Sequence, residues 1–528
     1  MTTPAPAAGA FAPLRQTTFA VLWVATVLGN TGTFMRDVAS AWLMTGLSPS
    51  PTAVALVQTA AALPVFLLAI PAGVLADILD RRRFLIFSQL WLAAVSATLF
   101  ALAASGRLTV EALIALTFAG GIGAALSAPS WQAIVPELVP RPELKSAVAL
   151  NSLGVNIARA IGPAAGGLAL AHFGAGVVYG ADVASYVVVI AALVWWRRPR
   201  RGADDLSERF VGAFRAGLRY ARNSRELHVV LLRAAMFFAF ASSAWALLPL
   251  VARQMLGGGA GFYGVLLGAV GIGAIAGAIG LPRLRAKLDA DGLMLAASLV
   301  AAGVLGALAS SPPQWLAIAL LFALGVAWIV ALTTLAGVTQ SVLPNWVRGR
   351  GLAIYLMVFN GAMAAGSLVW GLVAQRCGLA ATLLIGGAGL ALAALALHRV
   401  ALPAGEADLE PAHHLPDPLV AVPVEHDRGP VMVTIEYRVA HADQPAFLSL
   451  LRRLAQGRRR DGAYQWGVAE DAADPERIVE WFLVESWAEH LRQHERASAA
   501  DADLAAEARR FHIGAEPPLV RHLLAPHG

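Results

Sequence analysis

Five polar residues, Thr26, Asn30, Thr33, Asp37 and Ser40, interrupt an apolar stretch near the N-terminus at spacings of 4, 3, 4 and 3. Those intervals put all five on one face of a helix. A wet stripe of this kind suits a helix lining a path through an apolar environment, and a carboxylate placed there is a candidate proton carrier. Asp37 is that candidate. Arg36 is its sequence neighbour but lies about 100° around a helix, so spacing alone does not pair them. A static ion pair that locks this helix is the competing reading. Ser152, Asn156 and Arg159 repeat the 4 and 3 spacing further along. Arg159 falls near the middle of its apolar run, where a guanidinium either attracts an anionic solute or pairs with a carboxylate such as Asp37. Asn360, in a later run, suits the same path or an interhelical hydrogen bond. Two further charges sit in apolar runs. Asp182 is expected in a structural pair with an Arg, and Arg233 is near enough to a run's end to snorkel into the interface.

A bundle of membrane-crossing helices must position these groups. Of 528 residues, 58% are hydrophobic and 14% charged, against about 25% charged in soluble domains. A crossing needs about 20 mostly apolar residues. Twelve runs qualify, at 19–45, 52–77, 84–104, 110–130, 149–171, 174–196, 229–252, 261–282, 292–310, 314–337, 351–375 and 379–398. The loops after the even-numbered runs carry Arg81, Arg82, Arg83, Arg141, Lys145, Arg197, Arg198, Arg200, Arg201, Arg283, Arg285, Lys287, Arg348 and Arg350, while the opposite loops hold only Arg107, Arg253 and Arg376. By the positive-inside rule both termini are expected in the cytoplasm, with the chain multi-pass in a bacterial inner (plasma) membrane. The net charge of +6 therefore reports topology and not nucleic-acid binding. Cys377 is the single cysteine, which excludes an intrachain disulfide. The N-terminus lacks a cleavable leader pattern.

An internal repeat divides the runs into six and six. Gln132, Pro136 and Val139 recur as Gln340, Pro344 and Val347, 208 residues on, and Asn156, Gly162 and Gly167 recur as Asn360, Gly366 and Gly371, 204 residues on. Two halves in the same orientation, 1–200 and 226–399, joined by a cytoplasmic loop at 197–228, form the parallel repeat of rocking transporters.

The loop after the second run reads Gly73-Val-Leu-Ala-Asp77-Ile-Leu-Asp80-Arg81-Arg82-Arg83. It resembles the signature of the major facilitator superfamily, with Ile78 where the family carries Arg and Asp80 where it carries Gly. The resemblance implies close helix packing at Gly73 and a charge network of Asp77, Asp80 and the three arginines that locks one conformation. Gly162-Pro163-Ala-Ala-Gly166-Gly167 is similar to an element of family exporters in the fifth span; physically, Pro removes a backbone donor and glycines admit a neighbouring helix. The stretches VPELVPRPELKSAVALNSLGVNIARAIGPAAGG and ESWAEHLRQHER resemble the transmembrane secretion effector branch, relatives of siderophore exporters such as the enterobactin exporter.

Residues 400–429 read as a linker, rich in Pro and acidic residues. The remainder, 430–528, reads as strand 431–439, helix 443–457 with Phe447, Leu450, Leu451 and Leu454 on one face, strands 463–469 and 477–484, helix 486–511 and strand 518–524. That βαββαβ order predicts a ferredoxin-like unit. It resembles the dimeric α/β-barrel domains of antibiotic-biosynthesis monooxygenases. His490 and His494, four apart, could share a metal, but no third ligand is evident in the sequence, and they read as surface or interface histidines. Nothing resembles a flavin or nicotinamide fingerprint, so no cofactor or metal is expected, and the unit reads as a dimerisation or regulatory module.

The fold class expected is therefore an all-α membrane protein with twelve transmembrane helices in two six-helix pseudo-repeats, plus a C-terminal α+β ferredoxin-like domain. The function expected is secondary active export of a small organic molecule (siderophore, drug or secondary metabolite) by alternating access and proton antiport. No Walker-type loop is present for an ATP motor. An uptake permease of the same fold, or a membrane-tethered enzyme or sensor acting through the tail, are the alternatives.

Overall fold

The computed structural model describes residues 11–197, 210–344, 346–403, 424–426, 428–496 and 498–525. Most of the expected linker, and the start of the expected central loop, lie outside the described residues. Each apolar run becomes a helix: α1 Thr17–Leu47, α2 Pro51–Ile78, α3 Arg81–Ala104, α4 Val110–Leu138 and α5 Leu144–Trp195. A short amphipathic helix, α6 Phe210–Asn223, leads into α7 Arg225–Leu250, α8 Ala260–Arg285, α9 Ala290–Ala309, α10 Gln314–Ser341, α11 Arg348–Cys377 and α12 Leu379–His398. Helix starts are set by side chains that accept from first-turn amides: Ser50 for α2, Asp80 for α3, Thr109 for α4 and Asp289 for α9.

Among the described residues eleven helices are long and apolar enough to cross a membrane by length and composition. One of them, α5, is 52 residues long. At 1.5 Å per residue it would reach about 78 Å, over twice a hydrocarbon core of about 30 Å. It does not run straight. Gly174 adopts φ 79° and ψ 176°, a conformation outside the helix that glycine tolerates. The chain reverses there. A Cβ on Gly166 would stand 2.7 Å from Met35 Cα, while Tyr186 Oη on the far side of the break lies 3.2 Å from Arg36 Nη1. Both arms thus pack along the same stretch of α1. Counted as two arms, α5 supplies the fifth and sixth apolar runs, which makes twelve segments among the described residues.

The chain forms two compact units, one of Met1–Ala203, Leu232–Leu335 and Tyr355–Ala401, the other of Asp204–Leu231, Ala336–Ile354 and Leu402–Gly528. In the first unit the internal repeat is physical. A Cβ on Gly162 would meet Phe34 and Thr31 of α1, and one on its mate Gly366 would meet Ala239 and Ser242 of α7. Gly167 abuts Gly264 and Ala260 of α8, and its mate Gly371 abuts Ala55 and Thr52 of α2. Equivalent glycines therefore admit equivalent helices in each half.

The second unit holds the C-terminal domain: β1 Val431–Arg438, α13 Gln444–Asp461, β2 Gln465–Asp471, β3 Asp474–Val484, α14 Trp487–Arg496, α15 Ala499–Arg510 and β4 Leu519–Leu524. The sheet order is β2-β3-β1-β4 and all pairings are antiparallel. Alternate residues of β1 and β3 (Val431, Val433, Ile435, Ile478, Phe482) point into a core closed by Phe447, Leu450, Leu451 and Leu454 of α13. The element order follows the sequence expectation except that the helix expected at 486–511 is two. Ser498 caps α15 in a reciprocal capping box with Asp501 and so ends the continuity. The same unit holds α6 and the α10–α11 junction. Tyr220 Oη donates to the Val342 carbonyl at 2.8 Å, and Arg219 pairs with Glu489 of α14 at 2.6 Å. The Arg496 guanidinium lies 4.4 Å from the Trp346 ring centroid. Burial works against the Glu489 carboxylate, but Arg496, Arg219 and Arg492 outweigh it and hold it below its ordinary value.

Candidate functional site

The polar stripe of α1 divides into two strips. Thr33 Oγ1 lies 3.0 Å from Tyr186 Oη, and Ser40 Oγ lies 3.1 Å from Tyr179 Oη. These residues, seven apart, bind the second arm of α5 and do not line an open path, which corrects part of the expectation. Thr26 donates to the Leu22 carbonyl of its own helix. Asn30 and Asp37, also seven apart, occupy the neighbouring strip. Asn30 is half-buried, and the Asp37 side chain is 50% exposed.

Beside the Thr33 and Ser40 strip sits Arg36, buried at 9% exposure. Its Nη2 is 3.0 Å from Asp37 Oδ1 and its Nη1 is 3.6 Å from Asp182 Oδ2. The pairing that spacing left open therefore forms, and Asp182 has the arginine partner expected of it. Asp182 is fully buried, and its Oδ2 accepts from Ser96 Oγ at 2.6 Å, whereas Oδ1 has no hydrogen-bond partner. Gly32 makes this approach possible, since a Cβ there would stand 2.9 Å from Asp182 Oδ1. One guanidinium thus bridges a buried carboxylate and a half-exposed one. With all three ionised the cluster carries one net negative charge, so a single proton neutralises it.

Arg159 does not join this cluster. It is half-buried, its guanidinium carbon lies 5.8 Å from the Phe34 ring centroid, and among the described residues no carboxylate is within ion-pair distance. Phe34 and Asp37 are three apart on α1, so Arg159 faces the same side of that helix as Asp37. Asn156 is exposed and Asn360 half-buried. Each carboxamide donates to the carbonyl four residues back, Ser152 at 2.9 Å and Leu356 at 2.8 Å, so the repeat mates share one conformation.

The two halves are fastened together at the end bearing the α1–α2 turn. Arg253 Nη1 donates to Thr45 Oγ1 at 3.0 Å and lies over Trp42, which stacks on Tyr263. Ser50 and Thr52 both donate to Gln375 Oε1. Along α5 and α8 small residues meet in antiparallel register: a Cβ on Gly264 would be 2.8 Å from Gly167 Cα and 3.0 Å from the Pro163 carbonyl, and one on Gly271 would be 2.8 Å from Ala160 Cα. Gly162 and Gly166 of the glycine–proline element pack on α1, and Gly167 packs on α8. The element thus makes a contact between halves as well as packing within its own half.

At the α2–α3 turn the charge motif works within the first half. Arg81 Nη1 pairs with Glu137 Oε1 of α4 at 2.9 Å. Arg82 donates to the terminal carbonyls of α5, Leu193 at 2.8 Å and Val194 at 2.7 Å. Asp80 caps α3 through the Arg83 amide, and Arg83 is exposed. The Asp77 side chain lies outside the described residues. A Cβ on Gly73 would meet nothing within 4 Å among the described residues.

Arg233 does not snorkel. It is 5% exposed, pairs with Asp291 of α9 at 2.6 Å and donates to the Leu397 carbonyl at the end of α12. A carboxylate and free end carbonyls supply in the protein what the interface would have supplied. Trp328 is packed among Phe238, Trp245 and Phe359, and Trp370 Nε1 donates to the Ala239 carbonyl. Sequence reasoning missed Tyr186, Tyr179, Ser96 and Glu137. The only signal for the tyrosines was their seven-residue spacing in the sixth run.

Residues 8–527 match the profile of the transmembrane secretion effector family. Among curated proteins the chain is 24% identical over 359 residues to the Staphyloferrin A transporter of Staphylococcus aureus (strain NCTC 8325 / PS 47), covering 67% of this chain and 89% of that protein. It is 26% identical over 371 residues to the multidrug efflux pump Tap of Mycolicibacterium fortuitum, covering 68% and 90%. Against macrolide efflux protein A of Streptococcus pyogenes it is 22% identical, covering 46% and 60%. In fold it is similar to the nucleoside transporter NupG, with a TM-score of 0.62, 10% identity, and coverage of 72% of this chain and 99% of that one. It also matches a bacterial homologue of the human lysosomal transporter Spinster in an inward-facing conformation, with a TM-score of 0.58, 15% identity, and coverage of 73% and 97%.

Proposed function

This chain belongs to the transmembrane secretion effector family of major facilitator secondary transporters, and on that footing we propose that it exports a small organic anion in exchange for protons. The observation that carries the proposal is the charge arrangement beside α1. A half-exposed Asp37 shares Arg36 with buried Asp182, and an Arg159 guanidinium without a carboxylate partner among the described residues stands on the same side of the helix. A fixed positive charge at membrane depth is costly without a purpose.

Both termini lie in the cytoplasm on this reading, and the segments make twelve crossings. The α1–α2 turn then faces outward, and the fastening by Arg253, Gln375 and the α5–α8 glycines holds the inward-facing state. An anion enters from the cytoplasm and binds Arg159. The halves rock, and the outer contacts part, the α5–α8 glycine contacts with them. Asp37 accepts a proton from outside and releases its hold on Arg36, which then serves Asp182 alone. Return to the inward-facing state delivers that proton to the cytoplasm. Substrate and proton thus use neighbouring charges on opposite strokes, which is antiport. The efflux activities named for the macrolide and multidrug relatives support the outward direction, and the Staphyloferrin A relative supports a small-molecule substrate. The tail, docked on α6 through Glu489 and on the α10–α11 junction through Arg496, reads as a regulator of the connection between the halves.

Everted membrane vesicles test this. With an imposed pH gradient, uptake of a carboxylate siderophore is compared between wild type and Asp37→Asn. Gradient-driven uptake of this probe is expected in wild type, with loss of the gradient dependence in the variant. Undiminished coupling in Asp37→Asn removes Asp37 from the role, and accumulation in intact cells in place of depletion reverses the direction.

A further inference from the structure

Folding of the C-terminal domain supplies a histidine that the sequence pattern does not connect to His490 and His494. Strand β4 runs along the edge of the sheet beside β1, with His522 opposite Val433, and this sets the His522 ring against α14. The ring centroids are 4.6 Å apart for His490 and His494, and 4.7 Å for His490 and His522. One ring nitrogen from each of the three lies within 4.8 Å of the others. His490 is 2% exposed, and neither of its ring nitrogens has a hydrogen-bond partner. A buried imidazole that neither donates nor accepts calls for an explanation. Trp487 covers the group, with its ring centroid 5.4 Å from that of His490 and 6.0 Å from that of His522.

We infer that His490, His494 and His522 form a site for a first-row divalent transition ion, of which Zn²⁺ is the type. The donor set fits. Three imidazoles with an open fourth position are a known zinc arrangement, with metal–nitrogen distances of about 2.0–2.1 Å, and imidazole favours the later first-row ions over calcium or magnesium. The protonation state also fits. Burial, with the two neighbouring imidazoles, pushes His490 down to about 3, and burial lowers His522 as well, so these rings are neutral and free to ligate near neutral pH. Tetrahedral ligation draws the three nitrogens closer than they now stand, a change that side-chain rotation supplies.

The ion would tie α14 to β4. That same helix carries Glu489 and Arg496, which reach Arg219 of α6 and Trp346 of the α10–α11 junction. Metal occupancy would therefore stiffen the helix by which the tail holds these segments. The inference is independent of the transport reading.

The test uses the full-length, tag-free protein in detergent, stripped with a chelator. Co²⁺ is titrated while the visible d–d bands of four-coordinate Co²⁺ are followed, and Zn²⁺ is then added as competitor. Saturable binding at one equivalent, displaced by Zn²⁺, is expected in wild type. His522→Asn is expected to weaken it at least about tenfold, the range in which even supporting residues of metal sites act, and His522→Cys, which keeps a ligand, is expected to restore it. Absence of a saturable signal, a signal that survives His522→Asn, or a failure of His522→Cys to restore binding overturns the inference.

Discussion

Gly167→Ala should shift the transporter out of the conformation described above. A methyl group at Gly167 would sit 2.5 Å from Gly264 Cα and 2.8 Å from the Ala260 carbonyl oxygen. Carbon atoms in good contact stand about 3.5–4.0 Å apart, so α5 and α8 must separate by about 1 Å. The neighbours at this point are backbone and cannot rotate away. Overpacking of this kind costs about 1–3 kcal/mol. The cost falls on the state in which the halves meet at the α1–α2 end and is relieved when they part. At about 1.4 kcal/mol per tenfold, the population open at that end rises about five- to 150-fold. The reporter is Thr45→Cys in a Cys377→Ser background, since Thr45 is 8% exposed beneath Arg253. Its alkylation rate by a membrane-impermeant maleimide should rise in that proportion when Gly167→Ala is added. Gly371→Ala, whose methyl would lie 2.5 Å from Ala55 Cβ, should act in the same direction, and Gly73→Ala, which meets nothing, should leave the rate unchanged. A folded Gly167→Ala with the wild-type rate would refute the argument that these glycines hold the halves together.

Removing Arg36 as Met leaves fully buried Asp182 without its counter-charge, a loss of about 3–5 kcal/mol; thermal unfolding in detergent should show a lower midpoint that Arg36→Met/Asp182→Asn largely recovers, and additive losses would break the pairing argument. The C-terminal domain should lose stability on acidification. His490 is held near 3 in the fold by burial and by His494 and His522, whereas an unfolded histidine takes a proton at about 6.5. The folded state is therefore fully favoured above about pH 6.5 and loses up to about 1.4 kcal/mol per unit as the pH falls toward 3. Hydrogen exchange of β1 and β3 in the full chain, stripped of metal with a chelator, reads this, and His490→Leu should flatten the slope. Arg219→Ala should speed exchange in the second half of α6 about tenfold, the worth of a charged hydrogen bond; unchanged exchange would mean that Glu489 does not hold that helix.

The bundle was legible because membrane spans announce themselves by length and apolarity, and because the turn at Gly174 fell between two runs that each had a full span. The repeat was legible in Gly162, Gly167, Gly366 and Gly371, since a neighbouring helix approaches each so closely that a Cβ would stand 2.7, 2.5, 2.3 and 2.5 Å from it. The partners across the bundle were not. Asp182 and Arg36 are 146 positions apart, and the hydroxyls of Tyr186 and Ser96 look in sequence like any polar residue on a helix face. For Arg233, nearness to a helix end fits snorkelling and pairing equally, and only the placement of Asp291 decides. Ser498 and Asp501 carried a readable capping signal, yet the polar stretch 486–511 gave no apolar period whose interruption would draw attention to it. His522 escaped because strand order, not sequence order, brings β4 to α14.

Opposed motion of the two ends of the bundle is the account's central claim. Spin labels across the α1–α2 end, at positions 45 and 253, and across the α2–α3 end, at positions 83 and 283, report both distances by pulsed electron resonance as the pH is lowered in lipid nanodiscs. The first distance should lengthen while the second shortens, and Asp37→Asn should suppress both changes. Two distances that move together, or neither moving in protein that still binds its substrate, would contradict a rocking of the halves that parts the α5–α8 and α2–α11 glycine contacts.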